Sequence, residues 1–455
     1  MTAFIKLTPK IRERISNFID QEEYSAIAGL LRKLHPADQG KVFQDLQPGK
    51  QKNILLQLEI AEIADLFDEL DDEETFSAAQ ELPLQLLADI IDDMDPDEAA
   101  DLLGDLSGQD VRKTISLMEE PEDVLPLLRY PDETAGGRMT TDFLILEPDE
   151  KASEAIQYLR DVGPESDIPY YLFVVEKDGS LVGVIGLRDL VCADPDEKIQ
   201  DIMDVHVISI EGMRDQEEAA RLMIHYDLSA LPVVDRQNRL VGVISHDDIL
   251  DVMDDETTED IYRLASVTDA AIEPESNVFK QLQGRLPWLL LNTFTALFGA
   301  WVISNFEDLF VQVAVLAFFH SVVAAQGGNA ASQNVAMIVR SLALKKVDIK
   351  RVWPILIRQL LVGICLGAVV GLIVGAGVGL WQSNPYLGLV LGLALLGNML
   401  VASVVGTLAP LVLEFLDQDP AMASSVLVTA LTDSIGFLIF LSLARIFLPL
   451  IQQYV

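Results

Sequence analysis

Five long apolar segments occupy the C-terminal part of the chain, at about 286–304, 311–339, 353–380, 386–413 and 421–450. Each is near or above the roughly 20 residues that an α-helix needs to cross the hydrocarbon of a bilayer. The pattern therefore predicts a five-helix transmembrane domain over residues 284–455.

The loops between these segments predict how the helices are oriented. The loop 340–351, RSLALKKVDIKR, carries five bases, and short basic loops stay on the cytoplasmic side. The chain would start inside, cross five times and end outside. Because the N-terminal sequence has no apolar signal peptide, we expect a multi-pass protein of the cell (inner) membrane with a cytoplasmic N-terminus.

A helical repeat fills the N-terminal part of the chain. The segments LHPADQGKVFQDL (34–46), LEIAEIADLFDEL (58–70) and MDPDEAADLLGDL (94–106) share apolar positions at helical spacing. Repeats of this kind stack on their neighbours. We therefore expect an all-α superhelical domain over residues 1–135.

A second repeat follows between residues 139 and 253. Residues 174–190 match residues 233–249 at eight of seventeen positions. Each copy reads strand, helix, strand, turn, strand, helix, with Asp-Gly and Gln-Asn at the turns. The repeat resembles a tandem pair of α/β CBS domains, at 136–200 and 201–255, and an acidic connecting (plug) helix at 256–283 would lead into the membrane.

Charge is divided sharply between the two parts of the chain. The formal net charge is −39, yet residues 284–455 carry only seven acids and eight bases. The acidity of the first 283 residues disfavours nucleic acid and anionic lipid as partners and favours cations. Its densest runs are DELDDEE (68–74), DIIDDMDPDE (89–98) and DDILDVMDDETTEDIYRLA (247–265).

The sequence contains no pattern typical of an enzyme. The two cysteines, Cys192 and Cys365, lie in different halves and have no plausible base beside them, and the five histidines lack the spacing of a zinc site. We therefore expect a protein that is not an enzyme.

Asp433 is the one ionisable residue of the apolar stretch 424–444. Placing a carboxylate at membrane depth costs at least about 3 kcal/mol, which marks it as a functional candidate. The second apolar segment contains an unusually polar patch, AAQGGNAASQN (324–334), and we expect it to lie beside Asp433. The structural alternative is a hydrogen bond from Asp433 to Thr429 or Thr432.

Small residues recur every four positions in the third and fourth segments. Gly363, Gly367, Gly371, Gly375 and Gly379 form one such stripe, which we interpret as a helix-packing face. Asn398 lies on the other stripe, where a buried amide could bond a neighbouring helix or face a pore.

The order of these parts resembles the MgtE magnesium transporters along essentially the whole chain. The most specific motifs are GGNAASQNVAMIVRSLAL, DPAMASSVLVTALTDSIGF and TTEDIYRLA. The resemblance implies a homodimeric Mg²⁺ channel in the lipid bilayer, with Co²⁺ as a second candidate ion. It also implies that Asp433, Asn329 and Gly328 line the pore. The sequence departs from the family pattern at Ala331 and at the pair Ser425-Val426, and the second departure leaves the helix before Asp433 more regular.

The resemblance further implies that regulatory Mg²⁺ binds to acids of the N-terminal half. The residues that match are Asp92, Asp95, Asp227, Asp248, Asp251, Glu256, Glu259 and Asp260. In CBS domains the pattern Ser/Thr-x-x-Asp contacts nucleotides, which makes Ser245 and Asp248 candidates for ATP binding. The first copy has Gly186 in place of the hydroxyl residue, so only one such site is expected.

Our hypothesis for gating is that abundant internal Mg²⁺ bridges the acidic parts into a closed state, whereas scarce Mg²⁺ lets them repel one another. Two alternatives stay open at this stage. One is a proton-coupled divalent-cation transporter that uses Asp433 as its proton carrier, and the other is a membrane-anchored sensor that transports nothing.

Overall fold

Helices dominate the structure, a computed structural model that describes residues 5–162, 171–267, 277–343, 352–416, 418–422 and 425–454. The basic loop at 344–351 and the centre of the connecting segment, 268–276, lie outside the described residues. The chain divides into two compact units, Met1–Met253 and Asp254–Val455.

A stack of short helices begins the first unit. They are α1 Pro9–Asp20, α2 Tyr24–Leu31, α3 Pro36–Gln44, α4 Pro48–Leu55, α5 Ile60–Phe67, α6 Asp72–Ala79, α7 Leu84–Ile91, α8 Pro96–Asp105, α9 Gly108–Ile115 and α10 Pro121–Val124. Several start with proline, whose fixed φ suits the first turn of a helix. From α2 to α8 each helix packs on the helix two further along the chain, so the predicted helices stack as a repeat.

Two three-stranded sheets form the rest of the first unit. The elements are β1 Ile145–Leu146, α11 Ala152–Val162, β2 Tyr171–Val175, β3 Leu181–Gly186, α12 Leu187–Cys192, α13 Ile199–Ile202, β4 Ile210–Glu211, α14 Gln216–Tyr226, β5 Ala230–Val234, β6 Leu240–Ser245 and α15 His246–Leu264. In each sheet the first strand is parallel to the second, which pairs antiparallel with the third. This matches the predicted order of elements in both copies.

The predicted turn residues adopt the backbone conformation that such turns need. Gly179 has φ of 85° and Asn238 has φ of 61°, values that glycine and asparagine tolerate better than other residues. The two turns also meet, because Leu181 N donates to Asn238 O at 2.9 Å and Leu240 N donates to Gly179 O at 3.1 Å. The two copies of the repeat are therefore hydrogen-bonded to each other at these equivalent turns.

One apolar core connects the helical stack to the second CBS copy. It runs from Ile15 through the buried faces of the stacked helices to Ile244, Ile249 and Val252. Since apolar burial is the main stabilising term in folding, the stack and this copy form a single body. Their acidic surfaces are thereby held against each other.

Five long helices make up most of the described part of the second unit. They are α16 Val278–Ser304, α18 Leu316–Ala343, α19 Val352–Trp381, α20 Pro385–Phe415 and α21 Ser425–Ile451, with the short helix α17 Glu307–Gln312 after the first. Among the described residues, α16, α19, α20 and α21 are long and apolar enough to cross a membrane. Helix α18, which contains the polar patch, falls outside that group.

The glycine stripe of α19 packs directly on α20. A Cβ built at Gly371 would lie 2.6 Å from the carbonyl oxygen of Gly392, and one built at Gly375 would lie 2.6 Å from that of Gly388. The two backbones are therefore as close as small residues allow. This supports interpreting the stripe as a packing face.

Candidate functional site

Asp433 lies on α21 beside the polar patch of α18. A Cβ built at Gly328 would lie 3.8 Å from Asp433 Oδ1 and 3.0 Å from Thr429 Cγ2. Only a residue without a side chain leaves this approach open. The structure therefore brings together two features that lie about one hundred residues apart in the sequence.

No hydrogen bond from a described residue explains the buried oxygen Oδ1 of Asp433. Its Oδ1 atom is buried and accepts no hydrogen bond from any described residue. The hydroxyl of Thr432 donates instead to the carbonyl oxygens of Val428 at 3.1 Å and Thr429 at 3.0 Å. A buried polar atom without a partner is costly, so the proposed bond to Thr432 does not account for this acid.

A third helix reaches the same region through Asn398 of α20. This residue is 1 % exposed, and its Nδ2 donates to the carbonyl oxygen of Val323 at 2.7 Å. Asn329, by contrast, has an exposed side chain on α18. The described chain thus places Gly328 against Asp433 and leaves Asn329 facing outward.

Acids of the helical stack meet acids of the second CBS copy. Asp97, in the first turn of α8, is close enough to Asp248, in the first turn of α15, for the two charges to interact. Asp95 and Asp101 add to the negative potential at Asp97. Asp68 lies in the same negative potential, since the charges of Asp95 and Asp97 both raise its pKa.

Burial raises the pKa values of several acids in this group. Burial, reinforced by Asp95 and Asp65, raises the pKa of Asp68 to about 8. Burial raises the pKa of Asp97 as well, and the charge of Asp248 adds to that rise. For Asp248 the upward shift of the pKa from burial exceeds the lowering caused by hydrogen bonds from Ser245. The negative potential between these carboxylates therefore favours the binding of protons or metal cations.

Three other predicted ligands of the first unit, Asp92, Asp227 and Asp251, lie in different local surroundings. Asp92 accepts backbone N–H groups with both oxygens, from Glu119 at 2.7 Å and Glu120 at 3.3 Å. Asp227 is exposed at the end of α14, where it adopts the left-handed conformation with φ of 56°. Asp251 is exposed on α15 and raises the negative potential at Asp248.

Ser245 and Asp248 form a capping box at the start of α15. The Ser245 hydroxyl and backbone N–H both donate to Asp248 Oδ2, the latter at 3.1 Å, and Asp248 N donates to Ser245 Oγ at 3.3 Å. Such reciprocal bonds satisfy the first N–H groups of a helix. The Ser-x-x-Asp pattern thus has a structural explanation, and ATP binding stays a prediction.

The end of α15 lies in the second unit and carries the three remaining acids. Glu259 forms an ion pair with Arg263 one turn later, and Arg263 also pairs with Asp419 in the loop before α21. Glu256 and Asp260 are partly buried on the same helix. Arg263 therefore ties α15 to the segment that leads into the helix of Asp433.

These acids do not form a preassembled metal centre. Among the described residues, no group of three or more histidine, cysteine, aspartate or glutamate side chains is close enough to hold an ion directly. Mg²⁺ commonly keeps several waters and uses one or two carboxylates. Asp97 and Asp248, whose charges interact, are the candidates for such a hydrated ion, and Asp68, whose buried Oδ1 accepts no hydrogen bond from a described residue, lies in the same negative potential.

Comparison with known proteins agrees with the geometry. Residues 320–443 match the family model described as a divalent cation transporter, residues 34–133 match the MgtE intracellular N domain, and residues 135–196 and 199–255 match the CBS domain. The protein named Magnesium transporter MgtE from Bacillus subtilis is 32 % identical over 421 residues, which cover 92 % of this chain and 93 % of that protein. The chain belongs to the MgtE family.

Other members of the MgtE family are similarly close. The protein of the same name from Enterococcus faecalis is 38 % identical over 330 residues, 72 % of each chain. A crystal structure of the cytosolic domain of the Mg²⁺ channel MgtE in complex with ATP is 32 % identical, with a TM-score of 0.49, over 53 % of this chain and 99 % of that one.

For this MgtE-family chain, sequence reasoning missed two acids of the buried group. Asp68 and Asp97 lie inside the acidic runs at 68–74 and 89–98, so the signal was present but did not single them out. Their neighbours in those runs have similar local patterns, and only burial separates the residues that interact from those that face solvent.

Proposed function

We propose that this protein conducts Mg²⁺ across the cell membrane as a homodimer, with Asp433 at the narrow part of the pore. The observation that carries the proposal is the buried Oδ1 of Asp433, which lies beside Gly328 and has no hydrogen-bond partner among the described residues. Membership of a divalent cation transporter family supports it. Co²⁺ is a second candidate ion.

The proposed site suits an ion that keeps its water. Mg²⁺ gives up its hydration shell reluctantly, and coordinated waters can donate hydrogen bonds to a carboxylate. Two copies of Asp433 across a twofold axis would face one dication, which is a ring of acids of the kind that cation channels use. The cation would also compensate the cost of holding a carboxylate at membrane depth.

The topology that we propose has five membrane crossings, with α18 as the second. Its polar patch lowers its hydropathy below that of the other four long helices, but those residues would face the pore and the neighbouring helices rather than lipid. Helix α16, by contrast, exposes large apolar side chains such as Phe294 and Trp301, as expected for a surface covered by lipid or a second copy. The N-terminus would be cytoplasmic and the C-terminus outside.

Transport is tested with purified protein in liposomes that contain a Mg²⁺-sensitive dye. We expect influx along the Mg²⁺ gradient that follows the membrane potential, and a loss of at least about tenfold in Asp433→Asn and Asp433→Ala, because each removes the carboxylates that face the ion. Equal influx in Asp433→Ala would contradict the proposed site, and no influx in the parent protein would contradict transport. Influx that needs a pH gradient would favour the proton-coupled alternative.

We further propose that internal Mg²⁺ closes the pore by binding to the acidic half. Asp95, Asp97 and Asp248 are the best placed ligands, joined by Asp68, because they share a buried field that a cation would neutralise. In the connecting helix, Glu256, Glu259 and Asp260 are the candidates. The ion pairs of Arg263 with Glu259 and Asp419 offer a route from that helix to α21.

A further inference from the structure

A buried amide sits where three helices of the proposed pore cross. Asn398 of α20 is 1 % exposed. Its Nδ2 donates to Val323 O of α18 at 2.7 Å, while its Oδ1 is buried and accepts no hydrogen bond from the described residues. A leucine of similar size would avoid the cost of that unpaired oxygen, so packing alone does not explain the asparagine.

Two glycines shape the slot that holds this amide. A Cβ built at Gly327 of α18 would lie 2.7 Å from Asn398 Cγ, and one built at Gly436 of α21 would lie 2.7 Å from its Nδ2. Gly327 directly precedes Gly328, and Gly436 lies about one turn after Asp433. The amide therefore spaces the two helix segments that bring Gly328 and Asp433 together.

A second buried asparagine on α20 provides a comparison. Asn384 is 2 % exposed, and its Nδ2 donates to Ile451 O of α21 at 2.9 Å, much as Asn398 donates to α18. Its Oδ1, however, accepts from Leu387 N at 3.1 Å, which is an ordinary helix cap. Asn384 thus joins the same helix to a neighbour with its amide fully satisfied.

We propose that Asn398 is a positioning residue of the ion site, which it serves by fixing the distance between Asp433 and Gly328. This inference rests on the proposed transport function. The side chain holds the turn Val323–Gly327 with its NH₂ group and fills the gap to Gly436 with its flat amide. Sites whose ligands are held by a supporting shell lose affinity when that shell is loosened.

The test measures Mg²⁺ influx into liposomes as a function of Mg²⁺ concentration, with and without competing Ca²⁺. For Asn398→Leu we expect the apparent KM for Mg²⁺ to rise about three- to tenfold, the range that the loss of one interhelical hydrogen bond allows, and Ca²⁺ to compete better. For the control Asn384→Leu we expect a lower melting temperature with an unchanged KM. A parental KM in Asn398→Leu, or an equal rise in both variants, would overturn the inference.

A double variant keeps the test decisive if Asn398→Leu does not fold. Gly327→Ala alone should disrupt the structure, because its methyl group would overlap the Asn398 amide. Gly327→Ala combined with Asn398→Ala removes the overlap, so folding should recover while the KM stays raised. A double variant that regains the parental KM would show that the amide does not position the site.

The same measurements separate this inference from the function on which it rests. Liposomes with the parent protein that admit no Mg²⁺ would overturn both. Liposomes that admit Mg²⁺ through the parent protein and lose influx in Asp433→Ala, yet keep normal kinetics in Asn398→Leu, would overturn the positioning role alone.

Discussion

At the scale of single residues, two aspartates are distinctive. Each has a carboxylate oxygen that is buried and accepts no hydrogen bond from a described residue. They are Asp433 in the second unit and Asp68 in the first unit, and the oxygen is Oδ1 in both. Buried polar atoms are usually paired. Both sites therefore suit a bound cation, a proton or a water molecule.

The close approach of Gly328 to Thr429 gives a prediction about the ion site. In Gly328→Ala the new methyl group would lie 3.0 Å from Thr429 Cγ2, tighter than an ordinary contact, so the Thr429 side chain and α21 must give way slightly and influx should fall about tenfold. Adding Thr429→Ser removes that Cγ2 and should restore most of the influx. The measurement is Mg²⁺ uptake in liposomes.

Gly377→Ala is the matched control, because a Cβ there would meet no atom within 4 Å. It should leave uptake unchanged. A Gly328→Ala variant with parental uptake, or no recovery on adding Thr429→Ser, would contradict the steric argument.

The raised pKa of Asp68 predicts a pH-dependent stability. Because burial raises this pKa to about 8, the folded protein binds the proton more tightly than the unfolded chain, whose value is about 4. Its contribution to stability is therefore fully present below about pH 4 and is lost as the pH rises towards 8. In EDTA, Asp68→Asn should melt at a progressively higher temperature than the parent over this range.

Asp149→Asn provides a control of opposite sign. Lys198 lowers the pKa of Asp149 through an exposed salt bridge, so this variant should lose a little stability at neutral pH and none in acid. Melting curves of Asp68→Asn that stay parallel to those of the parent from pH 4 to pH 8 would contradict the prediction.

At the scale of elements, α15 runs from the first unit of the chain into the second. It begins in the second CBS copy with the capping box of Ser245 and Asp248, and it ends at Leu264 next to Arg263. The two ion pairs of Arg263 are partly shielded, since about a third of its side chain is exposed. The ion pair with Asp419 joins the end of this helix to the loop before α21.

Replacing Arg263 should therefore weaken the coupling that we propose between internal Mg²⁺ and the pore. In Arg263→Gln we expect the internal Mg²⁺ concentration that halves the current to change at least about threefold, because an interaction of roughly 1 kcal/mol is lost. Patch recordings with controlled internal Mg²⁺ measure this. Arg445→Gln, which breaks the exposed pair with Asp308 at 3.0 Å, should leave the inhibitory concentration unchanged.

At the scale of the whole molecule, the acidic half holds many like charges in one folded body. The core that runs from the helical stack into the second CBS copy forces Asp97 towards Asp248. Apolar burial and charge repulsion therefore oppose each other in this unit. A cation that binds only the folded form would shift that balance by mass action.

This balance predicts that Mg²⁺ stabilises the protein through the acidic group. The melting temperature of the parent should rise as Mg²⁺ is added, and most of that rise should be absent in Asp97→Asn, whose melting temperature in EDTA should already be higher. Asp189→Asn changes the exposed acid at the equivalent position of the first CBS copy and should respond to Mg²⁺ like the parent. An Asp97→Asn variant with the full response would show that the stabilising ion binds elsewhere.

Much of the architecture could be predicted because it depends on local patterns. Helical and strand periodicity, the turn residues Gly179 and Asn238, and the length of the apolar segments act over a few residues, whatever the rest of the chain does. The pairing of Asp433 with the patch near Gly328 was also anticipated. That prediction rested on the free-energy cost of placing both polar features in lipid, and it used no geometric information.

Partners of individual polar side chains could not be predicted in the same way. The family resemblance makes Asp92 a predicted ligand, but it does not predict that Asp92 accepts the backbone N–H groups of Glu119 and Glu120. Ser245 and Asp248 matched a nucleotide pattern that a capping box satisfies equally well. Residues 245–248 suit either helix capping or nucleotide binding, so the sequence does not decide between these two roles.

The sequence by itself determined the helical stack, the tandem α/β repeat, the apolar helices and the separation of charge, because hydrophobic periodicity and composition are properties of short segments. Only the tertiary structure decided that Asp97 meets Asp248, that Arg263 reaches Asp419, and that Asn398 lies between Gly327 and Gly436. These contacts join residues far apart in the chain. Their distances follow from how whole helices pack, which no local pattern specifies.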